Sequence, residues 1–234
     1  MTGFRRRRLT DFEEDLARTP KSQEDESILS IAEELSRKLG LKSAPIYLDW
    51  VAWRDRGGSG FSLAFMAADM IMWGRSWLTL PKRMKGLLEP EEWRPLLASS
   101  LIYDHDLRKK LVSQEMIKAG IPGVLVGIPF YLYIGIPRIL NAFASNSLTQ
   151  MGLWSVLFFA PVVMVSLLGS WVEKGLRLRA DRQAADLVGG EEFLGSLRKM
   201  KSMQFRELER WRPDFPKLSK RLGNITKYSP RAIT

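Results

Sequence analysis

The 234-residue chain contains no cysteine and a single histidine, His105. Disulfide scaffolds, thiolate zinc sites and cysteine nucleophiles are therefore excluded. Histidine supplies most metal ligation and general-base chemistry near neutral pH, so a hydrolase built on histidine pairs has almost no suitable side chain here. Apolar residues make up 45% and charged residues 26% of the chain, which is enough for a packed core and excludes a low-complexity tail.

The charge of the chain is unbalanced toward lysine and arginine. The 36 basic and 26 acidic residues give 36 − 26 = +10, which predicts a polyanionic partner, either nucleic acid or an anionic membrane surface. Residues 173–234 hold 15 basic and 8 acidic residues, a net of 15 − 8 = +7, without a nucleic-acid-binding motif. We therefore expect anionic lipid headgroups as a partner and no nucleic acid.

Two long stretches, 119–137 and 151–172, carry no charged side chain. A helix of about 19 residues at ~1.5 Å per residue nearly covers a hydrocarbon layer of about 30 Å. The sequence therefore predicts a transmembrane hairpin that turns in the polar segment 141–150. The alternative is a pair of buried helices, because four prolines interrupt the two runs. Basic residues on both flanks of the hairpin predict that both termini are cytoplasmic. We expect an integral protein of the cytoplasmic membrane of a prokaryote.

Outside these stretches the patterns predict a charged tail, helices and a few strands. The domain prediction is a tail over 1–27, a cytoplasmic N-terminal part over 28–118, the hairpin over 119–172, and a basic helical C-terminal part over 173–234. Within these parts we expect a helix over 28–39, strands within 45–51 and 61–80, a helix that begins at 89–92, helices over 179–188 and 191–210, and a helical end to 211–225.

The order of these elements resembles the membrane metallopeptidases of the HtpX and CAAX prenyl protease type. The most specific piece is ADRQAADLVG at 180–189, and Asp214-Phe215-Pro216 through Arg221-Leu222 is similar to the HP…R segment of that family. The resemblance covers 28–225. It implies an α+β, mainly α, gluzincin-like metallopeptidase fold with a small β-sheet and an inserted two-helix transmembrane hairpin.

Active members of the family carry HExxH on the helix after the paired glutamates, because histidines four residues apart share a helical face and bind zinc together. The resemblance puts Ser99 and Tyr103 at the histidine positions, Ser100 at the general base and Arg177 at the third ligand. Asp181 matches an aspartate that supports the ligands. The resemblance therefore implies a degenerate site with no catalytic residue, no metal and no cofactor.

Two residues offer possible compensation for the lost ligands. His105 lies two positions after Tyr103, about 200° around a helix, so we expect it to face away from the former site. Arg177 brings a positive charge to the place of the metal. We expect it either to tie two helices together through hydrogen bonds to Tyr103, Ser100 or Asp181, or to point into solvent.

These observations predict a catalytically inactive, peptidase-like protein that serves as a structural, accessory or binding subunit of a membrane protein complex, with other membrane subunits as partners. Two alternatives remain open. One is a membrane metalloendopeptidase with an atypical site. The other is a peptide-binding decoy or chaperone whose strand edge near 61–68 accepts an extended peptide without cutting it.

Overall fold

The computed structural model describes residues 20–41, 43–51, 68–74, 76–107, 131–138, 141, 169–209 and 215–228. The chain divides into two compact units, one of 1–106, 177–212 and 216–234, the other of 107–176 and 213–215. The described part of the fold is α+β and mainly helical, with a three-stranded sheet, so the predicted fold class is confirmed at this level.

Helix α1 spans Gln23–Lys38 and begins five residues earlier than its apolar spacing predicts. Ser22 forms a capping box: its side chain accepts from the Asp25 backbone N–H, and the Asp25 carboxylate accepts from the Ser22 N–H at 2.8 Å. This cap satisfies backbone donors that would otherwise lack partners, so the polar first turn becomes helical without an apolar stripe.

The sheet consists of β1 (Tyr47–Val51), β2 (Met72–Trp73) and β3 (Trp77–Pro81), in the order β1-β3-β2. Strand β3 is central, parallel to β1 and antiparallel to β2. It supplies the buried residues Leu78 and Leu80. Most of the predicted strand edge near 61–68 lies outside the described residues, which resume at 68.

Helix α2 spans Pro90–Ile102, and its last turn continues as a π-helical segment over Tyr103–Leu107. Its start agrees with the predicted one. Proline suits the first helical turn, and Glu91 and Glu92 favour the positive end of the helix dipole. Residues Trp93 through Ile102, apart from Arg94, are buried, so α2 is the central helix of its unit.

Four further helices follow: α3 over the described residues 169–188, α4 over Gly190–Ser202, α5 over Arg206–Glu209 and α6 over Leu218–Tyr228. Helix α4 packs against α2, and α6 packs against α4. The single helix predicted over 191–210 is interrupted at 203–205, where Gln204 has a φ of 54°. This left-handed backbone, which residues other than glycine seldom adopt, ends α4.

The prediction of an integral membrane protein is wrong. Within the described ranges, no helix combines the length and the apolar character that a membrane crossing requires. Of the two predicted spans only 131–137 and 169–172 are described, and the rest lies outside the described residues. The described segment 131–138 is too short, and α3 carries Glu173, Lys174 and Arg177 in its first half. The same finding contradicts the predicted location in a membrane with both termini on the cytoplasmic side.

Candidate functional site

Two side-chain contacts join α2 to α3. The Ser99 hydroxyl donates a hydrogen bond of 2.6 Å to Asp181 Oδ1. One turn further along α2, the ring of Tyr103 lies under the Arg177 guanidinium, whose central carbon is 4.0 Å from the ring centroid. The two pairs run in opposite sequence order, so the helices are antiparallel where they meet. Positions 99, 103 and 177 therefore converge beside Asp181.

A third helix contributes a buried arginine to the same place. Arg221 of α6 donates to both oxygens of Asp181, from Nε at 2.9 Å and from Nη2 at 2.7 Å. Its Nη1 donates to Asp69 Oδ2 at 3.2 Å. We call Ser99, Asp181, Arg221 and Asp69 the Asp181 cluster. It connects α2, α3, α6 and the segment before β2, and none of its residues is more than 6% exposed.

The charges of the Asp181 cluster are strongly coupled. Burial by itself would lower the pKa of Arg221, but the charges and hydrogen bonds of Asp181 and Asp69 outweigh it and raise that pKa above its ordinary value. The guanidinium is therefore permanently charged. Its planar fork matches the two oxygens of Asp181, which a lysine ammonium does not. The ring of Phe193 on α4 lies 5.9 Å from the guanidinium carbon.

Neighbouring contacts fix α6 against α3. Asn224 donates to the Leu178 carbonyl at 2.8 Å and accepts from Arg182 at 2.8 and 3.0 Å. At the end of α6, Tyr228 donates to Asp186 at 3.0 Å, and this contact raises the pKa of Tyr228. These bonds lie about one and two turns after Arg221 along α6, so they hold this helix against α3 next to the Arg221–Asp181 pair.

Ser100 belongs to a neighbouring contact. Its hydroxyl donates to the Ile71 carbonyl at 3.1 Å and is buried. This bond ties α2 to the segment that carries Asp69 and leads into β2. The Ser100 side chain therefore anchors backbone at the edge of the site.

The structure brings together four of the five predicted site residues, Ser99, Tyr103, Arg177 and Asp181, in two direct contacts between α2 and α3. Tyr103 is among the partners expected for Arg177, but the contact is a guanidinium stacked on the ring, whereas the sequence predicted a hydrogen bond. His105 is exposed whereas Tyr103 is 2% exposed, in agreement with the expected difference in direction. Within the described residues, no three histidine, aspartate or glutamate side chains are grouped so that they could hold a metal ion.

The zinc that active members of that family bind does not fit these residues. A catalytic zinc needs three protein ligands with nitrogen, sulfur or carboxylate donors. Positions 99, 103 and 177 instead offer a hydroxyl that already donates to Asp181, a buried phenol ring and a guanidinium stacked upon that ring. A guanidinium is always charged and has no lone pair for a metal.

Two members of the Asp181 cluster were not identified as site residues from the sequence. Arg221 was noted only as part of a motif similar to HP…R, without a role. Asp69 is the lone acidic residue within the apolar stretch 61–73, FSLAFMAADMIMW. An isolated carboxylate in such a stretch signals a buried partner of opposite charge, because an unpaired buried charge is very costly.

A separate open groove of about 580 Å³ lies near the start of α2 and the junction of α3 and α4. Its charged residues are largely paired: Arg94 bonds to Glu91 and Glu34, and Lys199 bonds to Glu92. Paired surface charges of this kind do not indicate a ligand. The Asp181 cluster with Tyr103 and Arg177 is the candidate functional site.

Comparison of the chain with protein-family models, with curated proteins and with solved structures finds no match. The resemblance to the HtpX and CAAX prenyl protease type therefore stays a prediction from the sequence.

Proposed function

We propose that this chain is a catalytically inactive relative of the HtpX and CAAX prenyl protease type, with a gluzincin-like arrangement of helices, that acts as a structural or binding subunit of a protein complex. The observation that carries the proposal is the convergence of positions 99, 103 and 177 beside Asp181. These four positions come from two segments about 80 residues apart. They are the positions at which the family motifs require two histidines, a glutamate and a supporting aspartate.

Catalysis is disfavoured by the identity of the side chains at this site. A zinc peptidase needs a metal-bound water and a general base beside it. Ser100 stands at the position of the base, and its hydroxyl bonds to the Ile71 carbonyl. With Ser99 committed to Asp181 and Arg177 stacked on Tyr103, the site supplies internal contacts between helices and no group to activate water.

A binding role is supported by exposed apolar side chains in the unit of 107–176. Tyr133 is 83% exposed and Trp171 is 75% exposed, and both Ile134 and Ile136 are also exposed. Aromatic residues are enriched at protein interfaces because they bury a large area with little loss of conformational entropy. We expect the partner to be another protein chain.

The family assignment is tested by rebuilding the metal site. The variant Ser99→His, Ser100→Glu, Tyr103→His and Arg177→Glu is predicted to bind one zinc ion per chain, because the three new ligands would converge beside Asp181. Zinc content after gel filtration and a colorimetric zinc titration measure the binding. The matched control keeps Arg177 and carries the other three substitutions; the guanidinium is expected to prevent stoichiometric binding.

The wild-type chain is expected to contain no stoichiometric zinc and to leave an unfolded protein substrate uncut. A folded four-fold variant that binds no more zinc than its control would contradict the family assignment. Stoichiometric zinc together with chelator-sensitive cleavage by the wild-type chain would contradict the inactive role. If the four-fold variant does not fold, Tyr103→His with Arg177→Glu keeps the Ser99–Asp181 hydrogen bond. Its melting temperature in Ni²⁺ then replaces the zinc measurement.

The binding role is tested separately. The full chain, purified from its native host, is compared with a Tyr133→Ser/Trp171→Ser variant by native mass spectrometry. We expect a stoichiometric protein partner that the variant loses while its melting temperature is unchanged. A wild-type chain that is monomeric throughout purification would contradict the role.

A further inference from the structure

We propose that helices α3 and α6 form a contact surface for the phosphate backbone of double-stranded DNA, which they bind without regard to base sequence. Five exposed basic residues make up this surface, which we call the basic face: Arg179, Arg182, Lys217, Lys220 and Lys227. This role is additional to the proposed function and does not depend on it or on the family resemblance. The expectation of no nucleic acid rested on the missing motif, and contacts to phosphate groups need no motif because they carry no base-sequence information.

The basic face is continuous because α3 and α6 touch each other within it. Arg182 of α3 donates to Asn224 of α6 at 2.8 and 3.0 Å, and its guanidinium carbon lies 5.7 Å from the ring centroid of Tyr228. Arg179 lies three residues before Arg182, which places both side chains on one side of α3. The two arginines therefore extend the surface of α6 sideways onto α3.

On α6 the three lysines fall on one stripe of the helix. With about 100° per residue, Lys217, Lys220 and Lys227 lie within roughly 80° of one another around the axis. The Lys217 carbonyl accepts the first hydrogen bond of the helix, from the Arg221 N–H at 3.0 Å, so Lys217 belongs to the same regular turn. Asn224 lies inside the stripe, so the bond from Arg182 joins the lysines to α3.

The arrangement of like charges favours a bound anion. Lys217 and Lys220 are three residues apart, as are Arg179 and Arg182, and like charges at this spacing on a helix repel each other. An anion placed between them relieves this repulsion. Because Arg182 is already held by Asn224, it loses less conformational freedom than a free side chain when it binds.

The dimensions of the basic face suit a DNA strand. Lys217 and Lys227 are ten residues apart, about 15 Å along α6. Each strand of a duplex carries one phosphate about every 3.4 Å of helix axis, so this length covers about four phosphates. Neighbouring helices lie about 8–10 Å apart, so the arginines of α3 reach a further phosphate beside this row. The number of cations thus matches the number of phosphates within their reach.

The composition of the basic face favours DNA over a protein or a lipid surface. The centres of protein interfaces are depleted in lysine, whereas protein–DNA interfaces are much more positively charged. Helices that bind lipid surfaces insert apolar side chains, but the stripe of α6 consists of lysines and Asn224. Tyr228 is bonded to Asp186, and Arg182 lies over its ring, so this ring is a poor platform for stacking the bases of a single strand. A duplex is therefore the expected partner.

The experiment measures the affinity of the full chain for a fluorescent duplex by anisotropy between about 50 and 200 mM KCl. The logarithm of the association constant falls with the logarithm of salt by about 0.9 for each phosphate neutralised, so five contacts give a slope of about −4.5. The variant Lys217→Gln, Lys220→Gln and Lys227→Gln is expected to reduce the steepness of this slope by about 2.7 and to weaken binding in 0.1 M salt by roughly 100-fold.

The matched control is Lys21→Gln, Arg37→Gln and Lys38→Gln, which removes three positive charges from exposed residues at the two ends of α1. Its slope is expected to change by less than about 1 and its affinity by less than about 10-fold. Both triple variants are expected to melt within about 1 °C of the wild type, because exposed substitutions seldom alter stability. An equal loss of affinity in the control, or a wild-type chain that does not bind the duplex in 50 mM salt, would overturn the proposal.

A second readout uses the wild-type chain alone. Bound duplex is expected to protect Lys217, Lys220 and Lys227 from acetylation, as measured by mass spectrometry of the digested protein, and to leave Lys21 and Lys38 reactive. Equal reactivity of all five lysines with and without duplex would contradict a contact at the basic face.

Competition separates DNA from other polyanions. Unlabelled duplex is expected to displace the labelled duplex at a charge concentration about ten-fold lower than polyglutamate, or than vesicles of equal parts phosphatidylglycerol and phosphatidylcholine, because its phosphates are more closely spaced. Equally good displacement by polyglutamate would indicate an acidic protein partner, and by vesicles a lipid surface; either result would overturn the assignment to DNA. The zinc and native mass measurements of the proposed function are unaffected by these outcomes.

Discussion

The replacement Arg221→Met is predicted to be strongly destabilising. Arg221 is 3% exposed and donates three hydrogen bonds to two buried carboxylates. Methionine has a similar length and fills most of the space, so the main loss is the positive charge and its bonds. Removing one partner of a buried ion pair costs about 3–5 kcal/mol, because the opposite charge stays buried. That is a large part of the 5–15 kcal/mol typical of a folded protein.

Urea unfolding at pH 7, followed by circular dichroism, measures the loss. With about 2–3 kcal/mol per molar urea for a chain of this size, the midpoint is expected to fall by roughly 1–2 M. The control is Lys220→Met, at the exposed neighbouring position of α6, which is expected to change the free energy of unfolding by less than about 0.5 kcal/mol. Arg221→Lys keeps the charge and loses the planar fork, so it is expected to lie between the wild type and Arg221→Met.

A loss below about 1 kcal/mol in Arg221→Met would refute the reasoning, because it would mean that water reaches the carboxylates of the Asp181 cluster. A result equal to that of Lys220→Met would do the same. If Arg221→Met is unfolded without urea, Arg221→Lys still provides a measurable midpoint for the comparison.

Three further predictions concern α1, the sheet and metal dependence. Asp25→Asn is expected to cost about 1 kcal/mol at pH 7, since the carboxylate caps α1 and accepts from Trp50 at 2.7 Å. Burial alone would raise the pKa of Asp25, but hydrogen bonds from Ser22 and Trp50 and the charge of Lys85 lower it below its ordinary 3.8. The stability linked to this carboxylate is present above pH 3.8 and is lost as the pH falls through the lower pKa of the folded state. The difference in urea midpoint between the variant and the wild type should therefore shrink on acidification. A constant difference from pH 7 to pH 2 would contradict this. Gly74→Ala is expected to cost about 1–3 kcal/mol of folding stability, because the new Cβ would meet the Trp77 ring. In the control Gly223→Ala the new Cβ meets no atom within 4 Å, so this change is expected to be neutral or stabilising. Equal melting temperatures for the two variants would count against the described sheet. Dialysis against EDTA is expected to leave the wild-type melting temperature unchanged, and a drop of several degrees would argue for a structural metal.

Local signals in the sequence were sufficient for several elements. Pro90 and the two glutamates after it predicted the start of α2, and Gly189, with a φ of 107°, ends α3 at 188 as expected. Strand β1 was also predicted, two residues longer at its start than observed. Each of these features depends on the backbone preferences of residues within one turn.

Other features depend on contacts between distant residues. The early start of α1 depends on a reciprocal cap at Ser22, which apolar periodicity does not reveal. The end of α4 depends on a left-handed Gln204, a conformation without a sequence signature. The membrane prediction is wrong because the absence of charge in a stretch of sequence is not by itself a sign of a spanning helix, and the described helices there are short or charged.

The site was partly predictable for a different reason. The spacing of 99, 100 and 103 on one helix and of 177 and 181 on another fixes which residues share a face, and the resemblance indicated that the two faces meet. Neither the spacing nor the resemblance indicates that Asp69 joins these two helices through Arg221, a contact between residues about 150 positions apart. Such long-range pairing follows from the packing of four segments and has no local pattern.

The convergence of α2 and α3 at the candidate site is tested most directly by cysteine cross-linking, because the chain has no cysteine of its own. A variant with Tyr103→Cys and Arg177→Cys is predicted to cross-link rapidly with a short bifunctional thiol reagent, as seen by mass spectrometry of the digested folded protein. A pair with Tyr103→Cys and Arg179→Cys is predicted to remain largely unlinked, since Arg179 is exposed. Equal cross-linking of the two pairs, or none in the first, would contradict the account.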